Sequence, residues 1–232
     1  MSAISHFDRV ADEHGFVVVF PDGLKKHWND GRGIPEGTAD DVAFTEALIA
    51  HLIKDDRIDP KRVFATGYSN GGFFSYRLAC ELAGLLAGIA TVAATVSVPV
   101  SRTCAPVRSV PVAAFNGTLD SYAQYRGGIV NRKAGGRGLA LSAEASFSLW
   151  ARLDHCNGKR VKMSLPKVRS GDPTSVTLQT ACNGTVRLYT IEGGGHTWPG
   201  GAVNLHLPES AVGKVSHQID ASETIWSFFS SL

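Results

Sequence analysis

The sequence predicts a single α/β domain in which helices flank a mostly parallel sheet. Short runs of β-branched and other apolar residues alternate with amphipathic stretches along the chain, which is typical of strand–helix–strand units. The 232 residues fall in the range of one domain and suffice for a substantial core. Neither an internal repeat nor a linker of domain-separating length interrupts residues 1–232, so we expect one domain.

Each element follows from a local pattern. Residues 16–20 are wholly apolar and end in Pro21-Asp22-Gly23, which indicates a buried strand followed by a turn. Residues 40–54 have the apolar spacing of a helix, and Thr38 or Asp40 could cap its N-terminus. The same patterns predict strands at residues 62–66, 89–98, 110–115 and 186–191, helices at 5–14, 73–86, 144–153 and 221–229, and a Gly- and Arg-rich loop at 126–138.

Composition and charge argue against several classes of function. The hydrophobic fraction is 44% and the charged fraction 19%, which are ordinary values for a globular protein. The formal net charge is only +2 and the basic residues are scattered, so we expect no nucleic-acid partner. Residues 82–100 are the longest apolar stretch, but glycines and Pro99 break it, so we expect no membrane span. No basic segment followed by an apolar one opens the chain, so we expect no signal peptide in it.

The four cysteines show no C-x-x-C spacing, which argues against a zinc site or a dithiol redox motif. Four cysteines allow three pairings. We favour Cys80–Cys104 and Cys156–Cys182, because each pair brackets one local stretch of chain. The alternative is four free buried thiols, which a cytosolic location would require.

A serine motif lies between a predicted strand and a predicted helix. Gly67-Tyr68-Ser69-Asn70-Gly71 fits G-x-S-x-G, and in this context the pattern holds a serine hydroxyl exposed on a strained turn. The glycines remove side chains that would collide with the strand and the helix. The backbone N–H of Asn70, at the helix N-terminus, would then face a developing oxyanion. The alternative is a glycine-rich turn that contains an incidental serine.

A serine nucleophile needs a base and an acid that orients the base. His196 lies in a glycine-rich loop after the last predicted strand, and Asp120 follows the strand at residues 110–115, so the chain order is Ser69, Asp120, His196. A turn-stabilising aspartate is the alternative for Asp120. The weaker candidates are His155 and His206 for the base and Asp154 and Asp172 for the acid.

With these motifs in place, the chain resembles a known family. It is similar to the polyhydroxybutyrate-depolymerase-like esterases, the group of α/β-hydrolases that also includes feruloyl and acetyl-xylan esterases of carbohydrate esterase family one. The matches run from about residue 10 to the C-terminus in the family's order. The resemblance rests on GFVVVFPDG (15–23), WND (28–30), DDVAF (40–44), GYSNGG (67–72), SYRLAC (75–80), NGTLD (116–120), EGGGHTWPGG (192–201), IDAS (219–222) and the aromatic residues at 226, 228 and 229.

The resemblance implies hydrolysis of carboxylic esters without a metal or organic cofactor, outside the cytoplasm. The family also has further strands and a His-Gly loop before the run at residues 16–20, and that loop supplies a second oxyanion donor. Here about fifteen residues precede the run, and we predict a helix for them. We therefore expect an N-terminally shortened α/β-hydrolase fold, either a short variant or a piece of a longer gene product. A missing central strand leaves backbone groups unpaired unless its neighbours or a second chain fill the gap, which makes a homodimer one expectation.

The acyl group and the acceptor stay open at this stage. Short-chain, hydroxycinnamoyl and polyester substrates all fit the resemblance. The rivals to an esterase are a catalytically weak relative that binds esters or glycans, and an acyltransferase or thioesterase with the same three residues. Four aromatic side chains near the motifs suit an aromatic or polyester acyl group, with ordinary packing as the alternative for each. These candidate pocket residues are Tyr68, Trp28, Tyr122 and Trp198.

Overall fold

The computed structural model describes residues 1–33, 39–131, 135–202 and 208–232. Within these ranges, a six-stranded sheet forms the centre of the fold. Its strands, in spatial order, are β1 (Phe64–Tyr68), β2 (Gly88–Val92), β3 (Val112–Gly117), β8 (Val186–Glu192), β7 (Ser175–Ala181) and β6 (Val161–Ser164). The first four strands are parallel, and β7 and β6 add to them in antiparallel fashion. The mostly parallel sheet confirms the predicted α/β class.

Helices cover both faces of the sheet. One face packs against α1 (Ser2–Ser5), α2 (Phe7–His14) and α8 (Ala221–Ser230), and the other against α3 (Asp41–Asp55), α4 (Asn70–Glu81), α5 (Val98–Thr103) and α6 (Ala143–Leu153). Alternate strand residues enter the two cores: Val112 and Ala114 face α4 and α6, whereas Ala113 and Phe115 face α8. The remaining elements are α7 (Glu209–Val212) and a small hairpin of β4 (Gly128–Ile129) and β5 (Leu139–Ala140). The strand β4 lies within the segment predicted as a loop at residues 126–138, and β5 directly follows that segment.

The apolar runs of β2 and β3 form strands because every residue in them is buried, as in other parallel sheets that are covered on both faces. The predicted strand at 89–98 is nevertheless too long. The chain leaves the sheet after Val92, and α5 begins at Val98 with the Ser97 side chain accepting the N–H of Val100. A buried serine therefore caps a helix where the apolar content alone indicated a continuing strand.

The strand predicted at residues 16–20 is wrong. These residues are extended, but among the described residues no strand pairs with them, and the sheet ends at β1. Phe16 stacks on Trp226 at 4.3 Å between ring centroids, and Val18 also packs on that core. Val17 and Phe20 stay 63% and 40% exposed. The packing of one side of this segment on the core explains its apolar residues without any pairing to a strand. The homodimer expected from an open sheet edge stays a prediction, as does the division into a single domain.

Several helix boundaries differ from the predicted ones. The helix predicted at 5–14 is two helices, because His6 has a positive φ of 52° between them. Asp40 caps α3 by accepting the N–H of Ala43, whereas the other candidate, Thr38, lies outside the described residues. The helix predicted at 73–86 starts three residues earlier, directly after Ser69, and ends at Glu81.

The antiparallel pair β6–β7 is not among the predicted strands, because β6 is exposed throughout and β7 is mostly half-buried, so neither strand has the continuous apolar run that indicates a buried strand. Two disulfides, Cys80–Cys104 and Cys156–Cys182, link neighbouring elements in the pairing that we favour from the sequence.

A search of the described helices finds none with the length and apolarity that a bilayer crossing requires.

Candidate active site

Ser69 occupies a sharp turn between β1 and α4, with φ of 53° and ψ of −118°. A serine rarely adopts a positive φ, so the surrounding structure must enforce it. A Cβ on Gly67 would lie 2.3 Å from the carbonyl group of Gly71, and a Cβ on Gly72 would lie 2.7 Å from the Cβ of Ala94. Nothing lies within 4 Å of a Cβ on Gly71. The turn therefore requires glycine at positions 67 and 72, rather than at both ends of the G-x-S-x-G motif.

The structure brings Ser69, His196 and Asp120 together. The His196 Nε2 lies 2.9 Å from the Ser69 Oγ, and the His196 Nδ1 lies 2.8 Å from the Asp120 Oδ2. In the tautomer with its proton on Nδ1, the imidazole donates to the carboxylate and accepts from the serine hydroxyl. The side chains of His196 and Asp120 are 6% and 1% exposed. This arrangement can take a proton from the serine.

The Asp120 carboxylate is fixed by its own loop. Its Oδ1 accepts the backbone N–H groups of Tyr122 and Ala123, both at 2.8 Å. The preceding residue, Leu119, donates its N–H to the carbonyl of Gly194 at 2.9 Å. The loop after β3 is thus bonded to the loop after β8, which carries His196. These bonds set the distance between acid and base.

Two tyrosine rings contact the His196 imidazole. The Tyr68 and Tyr122 ring centroids lie 5.1 and 5.0 Å from that of the imidazole. The Tyr68 hydroxyl donates to the backbone carbonyl of His196 at 2.6 Å. Burial, followed by the charge of Asp120, raises the pKa of Tyr68 well above its usual value, so this phenol remains a donor. Both tyrosines, predicted as pocket residues, contact the histidine.

Asn70 begins α4, where the first N–H groups have no partner within the helix. Its side chain is bonded elsewhere: the Oδ1 accepts the N–H of Trp28 at 2.8 Å, and the Nδ2 donates to the Trp28 carbonyl at 3.0 Å. The part of Asn70 left for an anion is therefore its backbone N–H, as the sequence predicted.

Comparison with known proteins gives several esterase relatives. No family model matches the chain. Feruloyl esterase B of Piromyces equi is 32% identical over 81% of the chain, which covers 35% of that protein. Putative esterase NocK of Nocardia uniformis subsp. tsuyamanensis is 28% identical over 98% of the chain, which covers 69% of it. Poly(3-hydroxybutyrate) depolymerase of Ralstonia pickettii is 26% identical over 83% of the chain and is covered to 42%. The chain is similar in sequence to this group of esterases.

A solved structure agrees with the esterase fold. Acetyl xylan esterase from Aspergillus awamori superposes on the chain with a TM-score of 0.61 and 12% sequence identity. The superposition covers 99% of this chain and 82% of the acetyl xylan esterase chain. At that identity the likeness shows the fold, which is the α/β-hydrolase fold. The chain spans about a third of the length of feruloyl esterase B and somewhat over two thirds of NocK.

The other two predicted pocket residues are packed differently. Trp198 is only 1% exposed, lies in the core against α8, and donates its indole N–H to the Ser222 Oγ at 3.0 Å. Trp198 is therefore a core residue, and its assignment to the pocket is wrong. Although it lies only two residues after His196, its side chain enters the core. Trp28 is half-buried and stacks on Phe74 at 5.1 Å, so packing accounts for one face of its ring.

A groove of about 520 Å³ follows the loop after β3. Asp120 lines it, together with Gln124, Tyr125 and Arg126, and the sequence carried no signal for the last three.

The weaker candidates for base and acid lie elsewhere. Asp154 accepts the N–H of Val110 before β3 begins, and Asp172 accepts from Thr174 and His217. His155 lines a second groove of about 390 Å³ near the Cys156–Cys182 disulfide. His206 lies outside the described residues. These contacts are structural.

One group of side chains in the described ranges has donor atoms within 4.8 Å of one another, namely Glu13, His14 and Glu223. Arg9 already lies 2.7 Å from Glu13 and 3.2 Å from Glu223, and the cluster is largely exposed. We interpret it as an ion-pair network that joins α2 to α8 rather than as a metal site.

Proposed function

We propose that this chain is a serine carboxylic-ester hydrolase that works through an acyl-enzyme. The observation that carries the proposal is the pair of contacts from His196, at 2.9 Å to the Ser69 Oγ and 2.8 Å to the Asp120 Oδ2. The esterase names of the relatives support the same reaction class.

The reaction divides into two acyl transfers. In the first, the Ser69 Oγ attacks the ester carbonyl carbon as His196 Nε2 takes the hydroxyl proton, and the carbonyl oxygen becomes an oxyanion. The Asn70 N–H donates to this oxyanion. Collapse of the tetrahedral intermediate breaks the bond to the alcohol oxygen, which takes the proton from His196.

In the second transfer, water replaces the alcohol. His196 accepts a proton from the water molecule while the water oxygen attacks the acyl carbon. The bond between the acyl carbon and the Ser69 Oγ then breaks, and His196 returns the proton to the serine. Asp120 keeps the Nδ1 proton on the imidazole and stabilises the imidazolium that forms twice per turnover. No metal or organic cofactor is needed for this cycle.

The substrate class follows from the relatives and the site. Their names include feruloyl, acetylxylan and poly(3-hydroxybutyrate) esters, so we propose short-chain, hydroxycinnamoyl or hydroxyalkanoate esters, free or on a polymer. Tyr122 and Trp28 are the aromatic residues that we propose next to the acyl group. Two disulfides fit an extracellular or periplasmic location.

The test is hydrolysis of p-nitrophenyl acetate and butyrate by the purified chain, with and without a serine-reactive phosphonate. We expect turnover that the phosphonate abolishes and that Ser69→Ala lowers by roughly ten-thousandfold. Ser227→Ala, an exposed serine on α8, is the matched control and should leave the rate unchanged. A folded sample without turnover would favour the ester- or glycan-binding alternative, and turnover that depends on an added alcohol or thiol would favour the acyltransferase.

A further inference from the structure

A buried ion pair lies beside the nucleophile turn. Asp30 and Arg32 have side chains that are 0% and 3% exposed, and the Asp30 Oδ2 lies 2.5 Å from Arg32 Nη2 and 2.9 Å from Arg32 Nε. Removing two charges from water is costly, and a buried pair is often replaceable by apolar residues without loss of stability. Stability alone is therefore a weak reason for this pair.

The same carboxylate oxygen is bonded to the residue after the nucleophile. The Asn70 Nδ2 lies 2.5 Å from Asp30 Oδ2. Together with the two bonds to the Trp28 backbone, this contact occupies the Asn70 amide on both its oxygen and its nitrogen. The side chain of Asn70 is thus tethered to the loop at residues 28–32.

Arg32, which bonds to Asp30, is itself held by two further contacts. Besides the two bonds to the carboxylate, its Nη1 donates to the carbonyl of Arg137 at 3.2 Å, and its guanidinium lies 4.2 Å from the centre of the Phe73 ring. Phe73 belongs to the first turn of α4, and its N–H bonds to the Ser69 carbonyl at 3.0 Å. The network therefore contacts the Ser69 turn through two residues of α4.

We propose that Asp30 is a positioning residue for ester hydrolysis, which holds Asn70 so that its backbone N–H meets the oxyanion. The inference rests on the proposed function. Preorganised donors stabilise an oxyanion only when their position is fixed before the reaction. The Asp30 carboxylate supplies that constraint from outside the reacting atoms, through the Asn70 amide. A loop-stabilising ion pair is the competing explanation, and it predicts no selective effect on turnover.

Two variants alter the tether from opposite ends. Asp30→Asn keeps the shape of the side chain and removes its charge, which weakens the bond that it accepts from the Asn70 amide. Asn70→Ala keeps the backbone N–H but removes the amide, together with its bonds to Asp30 and to the Trp28 backbone. We expect each variant to lower kcat by about ten- to a hundredfold, the size of effect that a misplaced catalytic group produces, with KM within about twofold. Because Asp30 acts through the Asn70 amide, Asp30→Asn should add no further loss of kcat to Asn70→Ala in the double variant.

Asp41→Asn is the matched control. Asp41 is a buried carboxylate that accepts the N–H of Asn29 at 2.6 Å, next to the same loop, without a bond to Asn70. It should lower the melting temperature and leave kcat within about twofold. If Asp30→Asn does not fold, Asn70→Ala alone tests the tether.

Three outcomes separate the possibilities. The inference is overturned if Asp30→Asn or Asn70→Ala melts earlier but keeps the kcat of the parent, or if the losses of the two variants multiply in the double variant. A loss of kcat in Asp41→Asn equal to that in Asp30→Asn would also overturn it. Lack of turnover in the parent chain would instead refute the proposed function, which the Ser69 assay detects separately.

Discussion

The Tyr68 hydroxyl donates to the backbone carbonyl of His196 at 2.6 Å, so the residue before Ser69 holds the loop that carries His196. These residues are separated by 128 positions in the chain. The bond ties the end of β1 to the loop after β8, two segments that no shared ladder joins because β2 and β3 lie between them. It therefore complements the side-chain contact between Ser69 and His196.

Removal of this bond should slow turnover without unfolding the chain. Tyr68→Phe keeps the ring beside the imidazole and deletes the donor, and one hydrogen bond contributes about 0.5–1.5 kcal/mol. We expect kcat to fall by about three- to tenfold in steady-state assays with p-nitrophenyl butyrate. Tyr122→Phe is the control, because the Tyr122 contact with His196 is made by its ring. Equal losses in the two variants would contradict the assignment.

The Tyr122 ring itself should matter for a different reason. It is nearly parallel to the His196 imidazole, at 27° between planes and 5.0 Å between centroids. An aromatic face stabilises an adjacent cation by about 0.5–1 kcal/mol, and the imidazole becomes a cation in both acyl transfers. Tyr122→Leu should lower kcat by about two- to fivefold for acetate and butyrate esters alike. A change confined to KM of the longer ester would show instead that Tyr122 only contacts the acyl chain.

Gly117, at the end of β3, should tolerate no side chain. A Cβ there would lie 2.4 Å from the Gly194 carbonyl oxygen and 2.5 Å from that of Gly195. Gly117→Ala must therefore displace the loop that leads into His196. We expect a loss of about 1–3 kcal/mol in the free energy of unfolding and about a hundredfold in kcat. Gly84→Ala, where no atom lies within 4 Å of the new Cβ, is the control. Unchanged kcat in Gly117→Ala would show that the loop adapts.

The sequence could predict the elements whose own residues determine them. Every residue of β2 and β3 is buried, so their apolar runs indicate strands. Ser69 follows from a turn motif that needs only its neighbours. The proximity of Ser69, Asp120 and His196 follows from the fold class, because each residue lies after a strand of the parallel part of the sheet and the ends of parallel strands meet at one edge.

Other features depend on partners far away in the chain. The run at residues 16–20 is apolar because Phe16 and Val18 pack on the core near α8, and apolar content reports burial rather than strand pairing. Asp30 and Asn70, which are bonded to each other, lie 40 positions apart in the chain. The sequence around either residue has no pattern that predicts this bond. Trp198 is close to His196 in sequence, yet its ring enters the core. Proximity in the chain therefore predicted the wrong role for this tryptophan.

The Cys80–Cys104 disulfide should stabilise the fold without affecting turnover. It joins the last turns of α4 to the end of α5, whereas Ser69 lies at the opposite end of α4. Cys80→Ala with Cys104→Ala should lower the free energy of unfolding by about 2–4 kcal/mol, as measured by urea denaturation. The kcat in the absence of urea should stay within about twofold. A large loss of kcat in a double variant that is fully folded would show that the disulfide also supports the Ser69 turn.

The pKa of Asp154 predicts how stability depends on pH. Burial raises this pKa to about 6, against the opposing effects of the Val110 hydrogen bond and of His155. The folded state therefore holds a proton that the unfolded state releases at a lower pH, near its ordinary value. The stabilisation is complete below about pH 4 and is lost as the pH rises through about 6.

Asp154→Asn tests this relation, because its side-chain oxygen can still accept the Val110 N–H while its charge is absent. Melting temperatures of the parent and the variant should be compared at pH 4, 5, 6 and 7.5. We expect the melting temperature of the variant to rise relative to that of the parent as the pH rises from 4 to 7.5, since only the parent must carry a buried carboxylate. Asp12→Asn, at an exposed position on α2, should show no such trend. A constant difference between Asp154→Asn and the parent at all four pH values would mean that Asp154 ionises in the folded state as readily as in the unfolded chain.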